Sequence, residues 1–201
     1  MTRSLRRYYR FHAKIYDATR WSFLFGRSAL IDLLCADCRP YRVLEIGCGT
    51  GKNLAVLAER FPEADLCGVD LSGDMLQIAE KRLQGVKART RLVHAAYDLP
   101  IDPGRPFDLV VFSYTLSMIN PGWSHAIRCA AVDLAPGGSI AVLDFHDSSS
   151  AAFKSWMHVN HVRMDSHLLP ELSLSFRPTR SEVRGAYGGM WRYFLYLGKN
   201  V

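Results

Sequence analysis

One stretch constrains this chain more than any other: Arg42-Val43-Leu44-Glu45-Ile46-Gly47-Cys48-Gly49-Thr50-Gly51. Val43, Leu44 and Ile46 read as a buried strand with Glu45 among them. Three glycines at alternate positions follow. Glycine reaches positive φ and lets a ligand lie against bare backbone. Residues 52–61 then read as a helix, with Leu54, Val56, Leu57 and Phe61 near one face. Strand, glycine turn and helix predict a nucleotide-type cofactor at the carboxyl end of the strand. A second strand, Leu66-Cys67-Gly68-Val69, closes on Asp70, 19 residues after Gly51. A carboxylate there can accept hydrogen bonds from both hydroxyls of a ribose.

The glycine spacing decides between cofactor types. A dinucleotide fingerprint is G-x-G-x-x-G, whose third glycine packs helix on strand. This chain has E-x-G-x-G-x-G. That pattern resembles motif I of the class I S-adenosylmethionine (SAM) methyltransferases, in which the glycine loop faces the methionine part of the cofactor. A tight turn in an ordinary α/β protein and NAD binding are the competing readings of the loop alone.

At 201 residues the chain is long enough for one domain with a substantial core. No apolar run approaches the ~20 residues of a membrane span, and the N-terminus lacks the apolar centre of a signal peptide. A cytoplasmic location is expected. Cys35 and Cys38 form a C-x-x-C with no second pair, so no metal site is expected there. His158, His161 and His167 recur near Asp165, again without enough ligands for a metal.

The charge is unevenly placed. Residues 1–27 hold seven basic residues (Arg3, Arg6, Arg7, Arg10, Lys14, Arg20, Arg27) against Asp17, which accounts for the whole chain's net +6. Residues 3–17 read as a helix, with Leu5, Tyr8, Tyr9, His12, Ile15 and Tyr16 at three- and four-residue spacings. Basic residues occupy much of the rest. This composition suits an interfacial helix on an anionic membrane surface. A solvated helix that lids the cofactor pocket is the plainer alternative, and the two are compatible. Nucleic acid is not expected, because no RNA-binding motif accompanies the charge.

The remaining chain alternates helices and strands. Residues 26–38 read as a helix stopped by Pro40. Ser72 is placed to cap a helix over 73–84, which Met75 opens. Thr90-Arg91-Leu92-Val93-His94 is a third strand, and Phe107–Phe112 is a nearly continuous apolar one, as at the centre of a parallel sheet. A helix over 123–134, a Pro136-Gly137-Gly138 turn and a strand over 139–145 follow. Residues 151–169 look helical. Gly188-Gly189 joins 182–187 to 190–197 as a hairpin.

Several peptides carry a narrower resemblance: Ile15-Tyr16-Asp17-Ala18-Thr19-Arg20, Phe25-Gly26-Arg27, the glycine loop with Lys52-Asn53, Ser113-Tyr114-Thr115-Leu116-Ser117-Met118-Ile119, and Arg184-Gly185-Ala186-Tyr187. Together they are similar to the BtaB-type N-methyltransferases of bacterial betaine-lipid synthesis, over nearly the whole chain. Bacterial phosphatidylethanolamine N-methyltransferases share similar features. The resemblance implies an α/β, Rossmann-like fold with a seven-stranded, mostly parallel sheet and an antiparallel C-terminal hairpin. It implies a single domain over 1–201, with 1–38 as an N-terminal helical lid facing membrane or substrate. The cofactor it implies is SAM, and the acceptor is the amine of a lipid head group, on an anionic surface at the inner face of the membrane. A soluble small-molecule methyltransferase and a non-catalytic SAM-binding module are the alternatives.

On this reading the cofactor contacts are Tyr16, Arg20, Glu45, Gly47, Gly49, Gly51, Asp70, Leu71, Met75, Ala95, Ala96 and Ser113. One departure stands out. The family pattern G-D-A-x-x-L-P has an acid that reaches the adenine amine, and here Ala95 takes its place. Backbone of Ala95 and Ala96, or the side chain of Asp98, are the available substitutes. Methyl transfer from a sulfonium is an in-line displacement that asks the protein mainly for position. An amine must shed a proton, and aromatic faces suit the cation that results. Tyr114, Tyr16 and Tyr187 are the candidates for the wall around the amine. Asp144 and His146 are the candidate proton acceptors.

Overall fold

A computed structural model describes residues 24–201. The expected basic helix over 3–17, with Tyr16 and Arg20, lies outside the described residues.

Helix α1 (Arg27–Asp37) leads into β1 (Arg42–Ile46), α2 (Lys52–Arg60), β2 (Asp65–Asp70), α3 (Gly73–Arg82), β3 (Thr90–His94) and β4 (Phe107–Ser113). Then come α4 (Trp123–Asp133), β5 (Leu134–Ser148), α5 (Ala151–Val159), α6 (Leu168–Ser175), β6 (Arg177–Ala186) and β7 (Trp191–Lys199). The seven strands form one sheet in the order β3-β2-β1-β4-β5-β7-β6. β7 runs antiparallel to both β5 and β6, and the other pairs are parallel. This is the expected mostly parallel sheet with a reversed last strand.

Central strands bury both faces. Val43 and Leu109 pack beneath α1 and α2 with Leu30, Leu34, Leu54 and Leu57. Their neighbours Leu44 and Val110 point the other way, into a cluster with Ile127 and Ala130 of α4 and Leu172 of α6. Successive residues of a strand face opposite sides, so two helical layers cover one sheet. The strand order reverses between β1 and β4, which opens a crevice at their carboxyl ends.

Element ends follow local chemistry. Ser72 caps α3 by accepting a hydrogen bond from Met75 N at 3.3 Å. The expected single helix over 151–169 is instead two. His161 and Ser166 take positive φ, 63° for each, and break it. Regular β4–β5 pairing runs from Ser139 to Leu143, though β5 itself is longer at both ends than expected. Among the described residues no helix is long and apolar enough to cross a membrane.

Candidate cofactor and acceptor site

A cavity of about 660 Å³ opens at the carboxyl ends of β1, β2 and β4. Its floor is the glycine loop. Gly47, Gly49 and Gly51 all take positive φ, at 68°, 54° and 73°. At Gly47 a Cβ would sit 2.5 Å from Thr115 Oγ1, so only glycine lets β1 turn beneath β4 there. Gly51 does not line the cavity. A Cβ on it would come within 3.0 Å of Ala79 Cβ, so it is a packing glycine between α2 and α3.

Asp70 ties two loops together. One carboxylate oxygen accepts from Gly49 N at 2.7 Å, the other from Ser72 N at 2.9 Å. Burial raises its pKa, and these backbone donors hold it back. Leu71 and Met75 continue the wall from β2, and Ala95 and Ala96 continue it from β3. The Ala95 amide already donates to Asp70 O at 3.1 Å, so it has no second bond to give a base. Asp98 also lines the cavity, and its carbonyl accepts from His125 Nε2 at 2.8 Å. Beneath this loop Asp133 is fully buried and gathers Tyr97 Oη, Ile101 N and Asp102 N, each within 3.0 Å.

Two opposite charges face this cavity without a full set of partners. Glu45 is 1% exposed; Asn53 Nδ2 donates to its Oε1 at 2.8 Å, while Oε2 has no partner. Burial pushes its pKa up to about 7. Arg27, at the first turn of α1, also lines the cavity, and its Nε is buried without a partner. Such a pair suits a zwitterion, with the carboxylate side receiving an ammonium and the guanidinium side a carboxylate.

Tyr114 lies opposite the glycine loop. It takes a left-handed conformation, φ 57°, which turns its ring onto Phe145 at 4.7 Å. Its hydroxyl donates to Phe25 O at 2.7 Å, and burial raises its pKa out of the working range. It can therefore offer an aromatic face and oxygen lone pairs, and no mobile proton at neutral pH. Ser113 lines the same wall with its Oγ buried and unbonded.

Asp144 and His146 do not line the cavity. Alternation along β5 sends Leu143 and Phe145 toward Tyr114 and Asp144 toward the far face. Fully buried, Asp144 accepts from Ser117 N at 3.1 Å and Phe145 N at 2.8 Å, so it anchors the turn after β4 from behind. His146 packs edge-on against Phe194, and burial lowers its pKa. Tyr16 and Arg20 lie outside the described residues. Arg27, Asn53, Thr115 and His125 join the lining without having been singled out from the sequence. Of these, Arg27, Asn53 and Thr115 had a signal, since each falls within a motif peptide quoted above. Among the described residues no group of three or more His, Cys, Asp or Glu is placed to hold a metal.

Asp144 gives a test of the anchor. Burial raises its folded-state pKa to about 6 from an ordinary 3.8. The folded protein thus holds this proton more tightly than the unfolded chain. The associated stability is present in full below about pH 4 and is lost as pH rises through about 6, on the order of 3 kcal/mol by pH 8. Asp144→Asn cannot ionise but forfeits one backbone hydrogen bond. Melting temperatures should place the variant below the parent at pH 5 and close or reverse that gap at pH 8. A gap independent of pH would show that Asp144 does not titrate in the folded protein.

The comparisons with known proteins agree with this geometry. Residues 43–138 match the family described as a methyltransferase domain. Over that stretch, close to half of its length, the chain is similar to methyltransferase domains. Trans-aconitate 2-methyltransferase of Streptomyces avermitilis is 36% identical over 103 residues, 51% of this chain and 38% of that protein. Demethylmenaquinone methyltransferase of Thermus thermophilus is 31% identical over 144 residues, 69% of this chain and 64% of that protein. The chain thus spans less than two thirds of either relative. In fold, the chain is similar to N-methyltransferase NodS from Bradyrhizobium japonicum in complex with S-adenosyl-L-homocysteine. The TM-score is 0.71 at 18% identity, over 87% of this chain and 85% of that one.

Proposed function

We propose that this chain transfers methyl groups from SAM to the amine of a lipid head group, with diacylglyceryl-homoserine as the leading acceptor. The observation that carries the methyl-transfer reading is the cavity floor: a glycine loop at positive φ, flanked by Asp70 and by the half-satisfied Glu45 and Arg27. These residues fit SAM. Asp70 would face the ribose, Glu45 the α-ammonium and Arg27 the carboxylate, while Leu71, Met75 and Ala96 would border the adenine. SAM supplies an activated methyl on a sulfonium. The chain supplies position and a dry wall, with Tyr114 presenting a ring to a cationic amine. Since neither Asp144 nor His146 reaches the cavity, an incoming amine would pass its proton to water at the cavity mouth.

The lipid head group rests on the Y-D-A-T-R and S-Y-T-L-S-M-I peptides and on the basic charge of residues 1–27. Phosphatidylethanolamine is the nearest rival acceptor. A soluble acceptor is the second reading, favoured by the relatives named for trans-aconitate methylation. The test is a SAM-dependent assay on anionic vesicles carrying either lipid, with products read by mass. Three methyls on diacylglyceryl-homoserine and none on phosphatidylethanolamine are expected. The reverse result would move the assignment to phospholipid methylation. Transfer to neither, with SAM still bound, would remove the lipid reading and leave soluble acceptors.

A further inference from the structure

Beyond Asp70 the cavity wall is made by Leu71 and Met75 and by residues 95–98 of the β3–β4 loop. Most polar groups of that loop are already committed. Ala95 N donates to Asp70 O at 3.1 Å, and Tyr97 Oη donates to Asp133 at 2.8 Å. Asp98 O accepts from His125 Nε2 at 2.8 Å. Ala96 N differs: it donates to no carbonyl among the described residues.

His125 lies in the first turn of α4 and lines the same cavity. Its tautomer follows from its partner. A carbonyl can only accept, so Nε2 carries the hydrogen, and in the neutral ring Nδ1 keeps a lone pair. Nδ1 has no partner among the described residues. The ring is also held in place. His125, Cys129 and Asp133 fall at i, i+4 and i+8, one stripe of α4, and the loop lies along that stripe. Asp133 gathers Tyr97 and Ile101 at one end, and Cys129 Sγ stands 3.6 Å from His125 Nε2 at the other.

This end of the cavity thus offers one fixed donor, Ala96 N, and one fixed acceptor, His125 Nδ1. The Asp98 carboxylate is a further acceptor, but it belongs to an exposed residue and no described group pins it. A donor beside an acceptor is the complement of one edge of adenine, where an amine donates and the adjacent ring nitrogen accepts. Hypoxanthine presents the reverse, an oxo group beside an N–H. Against it, lone pair would face lone pair and N–H would face N–H, so the wrong base is repelled as well as unbonded.

We infer that His125 selects the adenine base of the cofactor, with Nδ1 accepting from the exocyclic amine while the Ala96 amide donates to the neighbouring ring nitrogen. This deepens the SAM reading above and rests on it. Calorimetric titration at pH 8 with S-adenosylhomocysteine and with S-inosylhomocysteine, its oxo counterpart, tests the assignment. The parent should favour the adenosyl compound about 100-fold, the worth of two mispaired groups. His125→Ala removes an exposed side chain and should cut that preference to about 10-fold with little change in melting temperature. The preference is a ratio, so a general loss of structure, which weakens both ligands alike, does not move it. His125→Asn, whose side-chain oxygen can take the place of Nδ1, should recover part of it. Asp98→Ala keeps the carbonyl that holds the ring and should leave the preference in place. An unchanged preference in His125→Ala, or a loss that follows Asp98→Ala instead, would overturn the assignment and leave SAM as the cofactor. Equal binding of the two compounds by the parent would do the same. If the parent binds neither, the SAM reading falls and the role of His125 falls with it.

Discussion

Asp70→Ala should lower SAM affinity about 100-fold or more while costing the fold little. The two effects separate because the side chain does two different things. Its carboxylate accepts one hydrogen bond from Gly49 N and one from Ser72 N, which clamps the glycine loop to the turn that opens α3. Bonds to a charged acceptor are worth ~1.5–3 kcal/mol each. Yet the same carboxylate is buried, and burial raises its pKa, so its removal also relieves a desolvation cost. Stability therefore changes by less than the bond count suggests. Cofactor affinity has no such offset, since both loops line the cavity and lose their mutual position. Asp70→Asn keeps one acceptor but turns an amide N–H₂ toward the other backbone donor, and should fall between. Calorimetric titration with SAM beside thermal melting separates the two effects. Unchanged affinity in the alanine variant would remove the cofactor from this end of β2.

The second large effect is on pH. Glu45 has a pKa of about 7 because it is buried, with Asn53 and the Arg27 charge only partly offsetting that cost. It is thus mostly protonated at pH 6 and mostly ionised at pH 8. An ammonium partner favours the ionised form, so binding SAM should draw the Glu45 pKa down and expel a proton at pH 6. Affinity should rise about tenfold per pH unit below 7 and level off above it. Titration in two buffers of different ionisation heat counts the proton directly. Glu45→Gln should abolish the slope and weaken binding at pH 8 by about 10- to 100-fold, the worth of a charge-assisted bond. Stability of the free protein obeys the opposite sign. With a folded pKa above the unfolded one, Glu45 contributes stability at low pH that is lost as pH passes 7.

Much of this was readable from residue order because the signals are local. A glycine loop, a strand closing on Asp70 and a serine three residues before Met75 each act within a few residues of themselves. The sheet order follows from alternating strands and helices plus the Gly188-Gly189 hairpin. What the chain order hides is the facing of residues within a strand buried on both sides. Along β5, Ile140 to Phe145 are all buried. No polar alternation marks which side chains meet the cavity, so Asp144 reads as an active-site acid yet anchors a turn from behind. Asp133 is hidden for a different reason: the groups it gathers lie 31 to 36 residues earlier, in a loop. The break at His161 and Ser166 lacks any glycine or proline to announce it.

Tyr114 and Phe25 are 89 residues apart, yet one hydrogen bond between them closes the cavity wall. Phe25 is held in its turn by Trp191 and Tyr193, from the last strand of the sheet. The pocket therefore needs both ends of the described chain, and such long-range closures come late in folding. A chain still on the ribosome, with β7 not yet emerged, has its glycine loop and Asp70 but not the wall that faces them. A chain cut short before residue 191 should therefore bind SAM more weakly than the full chain.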